Sequence, residues 1–118
     1  GRVYVADTWN QRVQVFAEGA KANEYTPVKE WSVEGWYGDS LEIKPYLAVS
    51  AGGQVLVSDP EAMRVIEFDA NGTLVRYWGD AASGGTVLGM PVGLALDAEG
   101  ALWVADAGNN NLVKYVLP

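Results

Sequence analysis

With 118 residues, 49% of them hydrophobic, and five Trp, six Tyr and two Phe, the chain has enough apolar material for one packed unit of ordinary domain size. Eight basic against fifteen acidic side chains give a net charge of −7, which repels phosphate backbones and anionic membrane surfaces. The sequence holds no cysteine and no histidine, which excludes disulfides, thiolate metal sites, most zinc chemistry and Ser-His triads.

In chain order, residues 3–6 (VYVA) read as a strand closed by Asp7, and a polar patch, TWNQ at 8–11, turns the chain into a second strand at 12–17 (RVQVFA). The polar stretch 17–30 reads as a long exposed turn, followed by a strand at 29–35 (KEWSVEG) and a connection at 35–44 (GWYGDSLEIK). Next comes YLAVS at 46–50, a glycine turn at 51–53, and VLVS at 55–58 closed by Asp59. After PEAM at 60–63, RVIEF (64–68) passes through Asn71-Gly72 into LVRYWG (74–79). The connection 79–89 is rich in glycine but lacks the Lys-Ser/Thr ending and following helix of a phosphate loop. The last repeat runs VGLALD (92–97), the turn AEG (98–100), LWVA (102–105) closed by Asp106, AGNNN (107–111) and NLVKYV (111–116). That makes ten strands and no helix, because Gly or Pro interrupts every longer window and the apolar runs span only four to six residues.

Three fourteen-residue stretches, VYVADTWNQRVQVF, VLVSDPEAMRVIEF and LWVADAGNNNLVKY, align without a gap. Asp7, Asp59 and Asp106 are therefore equivalent, 52 and 47 residues apart, a period suited to four-stranded propeller blades. The strands that end in these aspartates are apolar on both sides of the pleat, as strands covered on both faces are. Small sheets stacked face to face meet that need. The expected fold is all-β, a partial β-propeller of about two and a half four-stranded blades at 3–36, 45–79 and 91–117.

The motifs carry a resemblance. The segments VYVADTWNQRVQVF and PVGLALDAEGALWVADAGNNNLVKY resemble NHL repeats, with Pro91, Gly93, Asp97, Gly100, Asp106 and Asn109 matching in the last repeat and Asp7, Asn10, Arg12 and Val13 in the first. The middle repeat departs, with Tyr46 at the glycine position, Ser50 at the aspartate and Ala62 at the asparagine. The resemblance implies a six-bladed propeller of bacterial type that serves as a binding platform, with calcium-dependent lactonases or lyases among wider relatives. An RNA-binding role, known in some animal relatives, conflicts with the acidic charge.

An aspartate at each of the three loops is assigned to turn building: it can accept N–H bonds from the loop or pair with the Arg five residues on, Arg12 or Arg64. The alternative makes Asp7, Asp59 and Asp106 cation ligands in a central channel. Function is expected instead where repeats differ, on the loop face: Trp9, Trp36, Tyr37, Asp39, Asn109 and Asn110 are the candidate ligand contacts, aromatic rings beside carboxylates and amides that suit a sugar face or a cationic side chain. For Trp36 and Tyr37 the reading as plugs between neighbouring blades is favoured over ligand contact. Trp31, Tyr77, Trp78, Trp103, Tyr4, Phe16, Phe68 and Tyr115 are assigned to the core. No catalytic residue, cofactor or metal is assigned. The expected partner is a protein, peptide or glycan, not nucleic acid or membrane. A strand count of three, four and three predicts either a segment of a longer ring or a homodimer completing six blades.

Overall fold

The structure, a computed structural model, describes residues 1–36 and 43–118. Its strands form three antiparallel sheets of three, four and three strands, the all-β architecture of a partial propeller. The chain divides into two compact units, Gly1–Leu41 and Glu42–Pro118.

The first unit is one sheet in the order β1-β2-β3, built from β1 (Arg2–Asp7), β2 (Arg12–Glu18) and β3 (Tyr25–Ser32). Between β1 and β2 lies a single 3-10 turn, Thr8–Asn10, the one helical element among the described residues. Val13 and Val15 are buried, whereas Val3 and Val5, on the opposite side of the pleat, are exposed. The stretch 17–30 is not a long turn. Glu18 pairs with Tyr25 and Ala17 with Thr26, so the turn shrinks to 19–24, where the Gly19 N–H donates to the Glu24 carbonyl at 2.6 Å. Pairing satisfies the backbone whatever the side chains are, and β3 is an edge strand that tolerates polar residues. It also tolerates Pro27: the register slips at the Phe16 and Pro27 pair, where proline has no N–H to contribute.

The second unit holds two sheets. One is β4 (Leu47–Val49), β5 (Val55–Asp59), β6 (Arg64–Phe68) and β7 (Leu74–Trp78), paired in that order. The other is β8 (Pro91–Leu96), β9 (Leu102–Asp106) and β10 (Asn111–Tyr115), with β9 central. The sheets pack through Leu56 and Val65 on one side and Leu102, Val104, Val113 and Tyr115 on the other, with Leu88 inserted from the β7–β8 connection. Each such side chain contributes roughly 1.5–3 kcal/mol by leaving water. Trp78 closes the edge, its ring 5.6 Å from that of Tyr115.

Burial on both pleats holds for β5, every residue of which is buried, and fails for β1 and β9. In β9, Leu102, Val104 and Asp106 face the neighbouring sheet, which turns Trp103 outward. Trp103 is thus not a core residue: it is 37% exposed, its indole N–H donates to Asp97 at 2.9 Å, and the Lys114 ammonium lies 5.3 Å from its ring. Phe68 and Tyr115 are buried as expected.

Three hairpin turns of this unit share one design. In 50–54, 69–73 and 97–101 the fourth residue is Gly53, Gly72 or Gly100 at φ +86°, +82° or +83°, and its N–H donates to the carbonyl of the first residue at 3.0 Å. The first residue also uses its side chain, Asp69 accepting from the Thr73 N–H at 2.9 Å and Asp97 from the Ala101 N–H at 2.8 Å. Ser50 does the same with its hydroxyl toward the Gln54 N–H at 3.1 Å. A serine at the aspartate position keeps the turn because only one acceptor oxygen is needed.

Candidate functional site

The loops that follow Asp7, Asp59 and Asp106 lie at the other end of the strands from these turns, since antiparallel strands alternate their connections. Each has four residues and ends on a non-glycine residue in the left-handed region: Gln11 at φ 56°, Met63 at 55° and Asn110 at 53°. The Gln11 N–H closes its loop on the Thr8 carbonyl at 3.0 Å, and the Met63 N–H on the Pro60 carbonyl at 3.3 Å. One backbone shape therefore carries three different tips.

In the first unit the tip is Trp9, 69% exposed. Beneath it Asp7 accepts from the Asn10 amide at 3.0 and 3.1 Å and from Arg12 Nε at 2.7 Å, and Arg12 Nη1 reaches Glu30 at 2.8 Å. The Arg12 bond, then that from Asn10, holds the Asp7 carboxyl below its ordinary value of 3.8. A polar recess of about 190 Å³ opens beside this network, lined by Asn10, Arg12, Glu30, Trp31 and Ser32. The indole of Trp9 thus projects from a turn anchored by a network of charged and amide groups.

In the second unit the aspartates act differently. Asp59 is buried and accepts from Arg64 Nε at 3.0 Å, while the Arg64 guanidinium sits 4.1 Å from the centre of the Tyr77 ring. Asp106, also buried, joins two loops. It accepts from the N–H groups of Gly89 and Met90 in the β7–β8 connection, the latter at 2.8 Å, and from Gly108, Asn109 and the Asn109 side-chain amide in its own loop. Burial alone would raise its pKa; the N–H donors of Met90 and Gly89 and the Asn109 amide outweigh that and lower it. Tyr115 ties down the same connection, its hydroxyl donating to the Thr86 carbonyl at 2.6 Å, and its pKa is raised by burial and then by Asp106. Further along the connection, Asp80 accepts from the N–H and the hydroxyl of Ser83, and the hydroxyl bond lowers its pKa.

The candidate ligand contacts are distributed accordingly. Trp9 stands out into solvent. Trp36 is only 1% exposed and packs rather than presents its ring. Tyr37 and Asp39 lie outside the described residues. Asn109 sits on the surface with its amide engaged by Asp106. Asn110 is exposed and lines a recess of about 480 Å³ with Val92, Ala105, Asn111 and Leu112; an adjoining recess of about 620 Å³, sharing Val92 and Ala105, is lined by Ile43, Lys44 and Tyr46. Met63, exposed at its tip, is a surface residue that composition does not flag. Its signal is positional, the fourth place after the aspartate, shared with Gln11 and Asn110. Among the described residues no group of three or more Asp, Glu, His or Cys side chains is arranged to hold a metal ion.

The NHL repeat family model matches residues 1–16 and 88–115. These two stretches thus carry NHL repeats, in a fold of the β-propeller type. The match falls on the first and last NHL repeats and leaves out the middle one, where Tyr46, Ser50 and Ala62 depart from the motif although the sheet itself is complete. No curated protein matches the chain. Among solved structures a streptogramin B lyase is similar in fold, with a TM-score of 0.54 and 14% identity over 100% of this chain. The NHL segment spans 38% of the length of that structure.

Proposed function

We propose that this NHL-repeat segment is a binding module without catalytic function that presents the loops following Asp7, Asp59 and Asp106 to a protein, peptide or glycan. The observation that carries the reading is Trp9, a large apolar ring held in water on an anchored turn. An exposed indole on such a turn offers a stacking surface for a sugar ring or a cation-π contact for a lysine or arginine side chain. The repeat architecture supports the same view: one loop backbone displays Trp9, Met63 and Asn110 at or beside its tips, so recognition is varied without changing the frame.

Asp7, Asp59 and Asp106 are committed to arginine, asparagine or backbone partners, which supports a building role over cation ligation. The likeness to a streptogramin B lyase is a likeness of fold.

The test is a screen of the chain against a glycan array and a lysine- and arginine-containing peptide array, followed by calorimetry of each hit with the wild type and Trp9→Ala. Binding that falls at least about tenfold in Trp9→Ala supports the module, a loss of the size expected for one buried aromatic anchor. Hits that bind Trp9→Ala unchanged, or micromolar calcium binding coupled to lactone hydrolysis or lyase activity, would overturn it.

A further inference from the structure

Asn71 and Gly72 lie at the tip of the turn between β6 and β7, and the repeat explains why they stand side by side. The fourth place of the three equivalent turns is Gly53, Gly72 or Gly100, at φ +86°, +82° and +83°, a conformation that calls for glycine. The third place is free to vary and holds Gly52, Asn71 or Glu99. Of these only Asn71 carries an amide carbon one methylene from the backbone, and the residue after it has no side chain to crowd the next nitrogen. The other five asparagines precede Gln11, Glu24, Asn110, Asn111 and Leu112, whose side chains do crowd it.

We infer that Asn71 is a modification site, converted spontaneously to isoaspartate and aspartate through a cyclic imide formed with Gly72. The Gly72 nitrogen bonds to the side-chain amide carbon of Asn71. The bond from that carbon to the amide nitrogen breaks, and ammonia leaves with the proton that Gly72 gives up. Water then opens the ring: attack at the former side-chain carbonyl gives aspartate, and attack at the main-chain carbonyl gives isoaspartate, whose backbone is longer by one carbon. No oxidation or reduction takes place, and water is the only co-reactant.

The turn itself sets the rate. In the folded chain the Gly72 N–H donates to the Asp69 carbonyl at 3.0 Å, while the Asp69 carboxylate accepts from the N–H groups of Asn71 and Thr73 at 2.8 and 2.9 Å. The attacking nitrogen is thus held toward Asp69, and the turn must open before it can reach the Asn71 side chain. That opening is local, because Asn71 and Thr73 are exposed, as are Leu74, Val75 and Arg76 of the edge strand β7. Isoaspartate cannot rebuild the turn afterwards: its extra carbon breaks the spacing from Asp69 to Gly72, and its new carboxylate adds a second negative charge beside Asp69. The site lies at the far end of β6 from the Met63 tip and is independent of the proposed binding role.

Incubation of the whole chain in mildly alkaline buffer, followed by proteolysis and mass spectrometry, tests this. Asn71 is expected to be the first asparagine to convert, to yield separable isoaspartyl and aspartyl peptides, and to convert faster when guanidinium chloride unfolds the chain. Asp69→Ala is expected to speed conversion in the folded chain about fivefold, the effect of losing one net hydrogen bond from the turn. Asp69→Ser is expected to keep the wild-type rate, since Ser50 holds the equivalent turn with its hydroxyl. Asn71→Gln, which would need a larger ring, is expected to stay unconverted. Earlier conversion of another asparagine, aspartate formed without isoaspartate, conversion of Asn71→Gln at the wild-type rate, or equal rates in folded wild type and folded Asp69→Ala would overturn the inference. If Asp69→Ala does not fold, the comparison of folded with unfolded wild type carries the same test, and equal rates there overturn it too.

Discussion

Gly108 rests against Gly89 so closely that a β-carbon on Gly108 would lie 2.6 Å from the Gly89 carbonyl carbon and 2.7 Å from the Met90 nitrogen. No side chain fits there. The contact brings the loop after β9 against the β7–β8 connection and lets Asp106 reach the N–H groups of both. Gly108→Ala is therefore expected to push the loops apart and to destabilise the chain by about 1–3 kcal/mol, the usual range for overpacking against atoms that cannot move aside. Urea unfolding followed by tryptophan fluorescence checks it; a midpoint equal to wild type would show that the two backbones are not in contact.

Asp106→Ala tests the other half of that junction. Removing the carboxylate leaves the N–H groups of Gly89 and Met90 without their acceptor in a buried setting, and the expected cost is about 3 kcal/mol. Asp7→Ala should cost less, about 1 kcal/mol, because its partners Asn10 and Arg12 are side chains at the surface that water can solvate instead. The comparison matters more than either value: equal losses would mean that burial does not distinguish the repeats.

Much of this was legible beforehand, and the reasons it was differ from element to element. The strand after strand periodicity and the recurring Asp7, Asp59 and Asp106 expose the repeat because backbone pairing and turn chemistry are local. Trp103 shows the limit. Its repeat position matches Leu56, yet one is exposed and the other buried, because exposure depends on whether another sheet lies on that face, and no residue in β9 encodes its neighbour. The 17–30 stretch shows a second limit: polar composition signals a loop, but an edge strand needs only a paired backbone. In the site, the exposure of Trp9 followed from its place at a loop tip. The burial of Trp36 agrees with its reading as a packing residue and not with its reading as a ligand contact, whereas the left-handed conformation shared by Gln11, Met63 and Asn110 carries no composition signal of its own.

Acid should unfold the chain through its paired carboxylates. Asp7, Asp80, Asp97 and Asp106 all have folded pKa values below the ordinary 3.8, held there respectively by Arg12, by the Ser83 hydroxyl, by the Trp103 indole N–H, and by backbone donors that outweigh burial. The unfolded chain then binds more protons than the folded one in the window between the folded values and about pH 5, so unfolding free energy rises with pH there and levels off above it. Stability is thus fully present above about pH 5 and lost as pH falls through the folded values. Tyr115 acts in the opposite direction, its raised pKa contributing stability that is lost as pH rises above the ordinary value of 10.0. Urea midpoints from pH 3 to 7 check the acid limb. A flat profile would contradict the pairing, and Trp103→Phe should move the Asp97 share of the acid limb upward in pH, since it removes the indole donor.

Met63 stands in a conformation that its side chain does not favour. Its φ of 55° places the β-carbon against the backbone carbonyl, a cost of roughly 1–2 kcal/mol for an ordinary residue and less for asparagine, whose short polar side chain tolerates that region. The equivalent position in the last repeat is Asn110, with φ 53°, so the same loop already accepts asparagine there. Because Met63 is exposed, replacing it removes little packing. Met63→Asn is expected to stabilise the chain by about 0.5–1 kcal/mol, most of it from relieved backbone strain. Met63→Ile should do the reverse, since a β-branched side chain fits the left-handed region worst of all. Thermal unfolding of the pair decides the matter: if both variants shift the midpoint in the same direction, side-chain contacts rather than backbone conformation govern that tip.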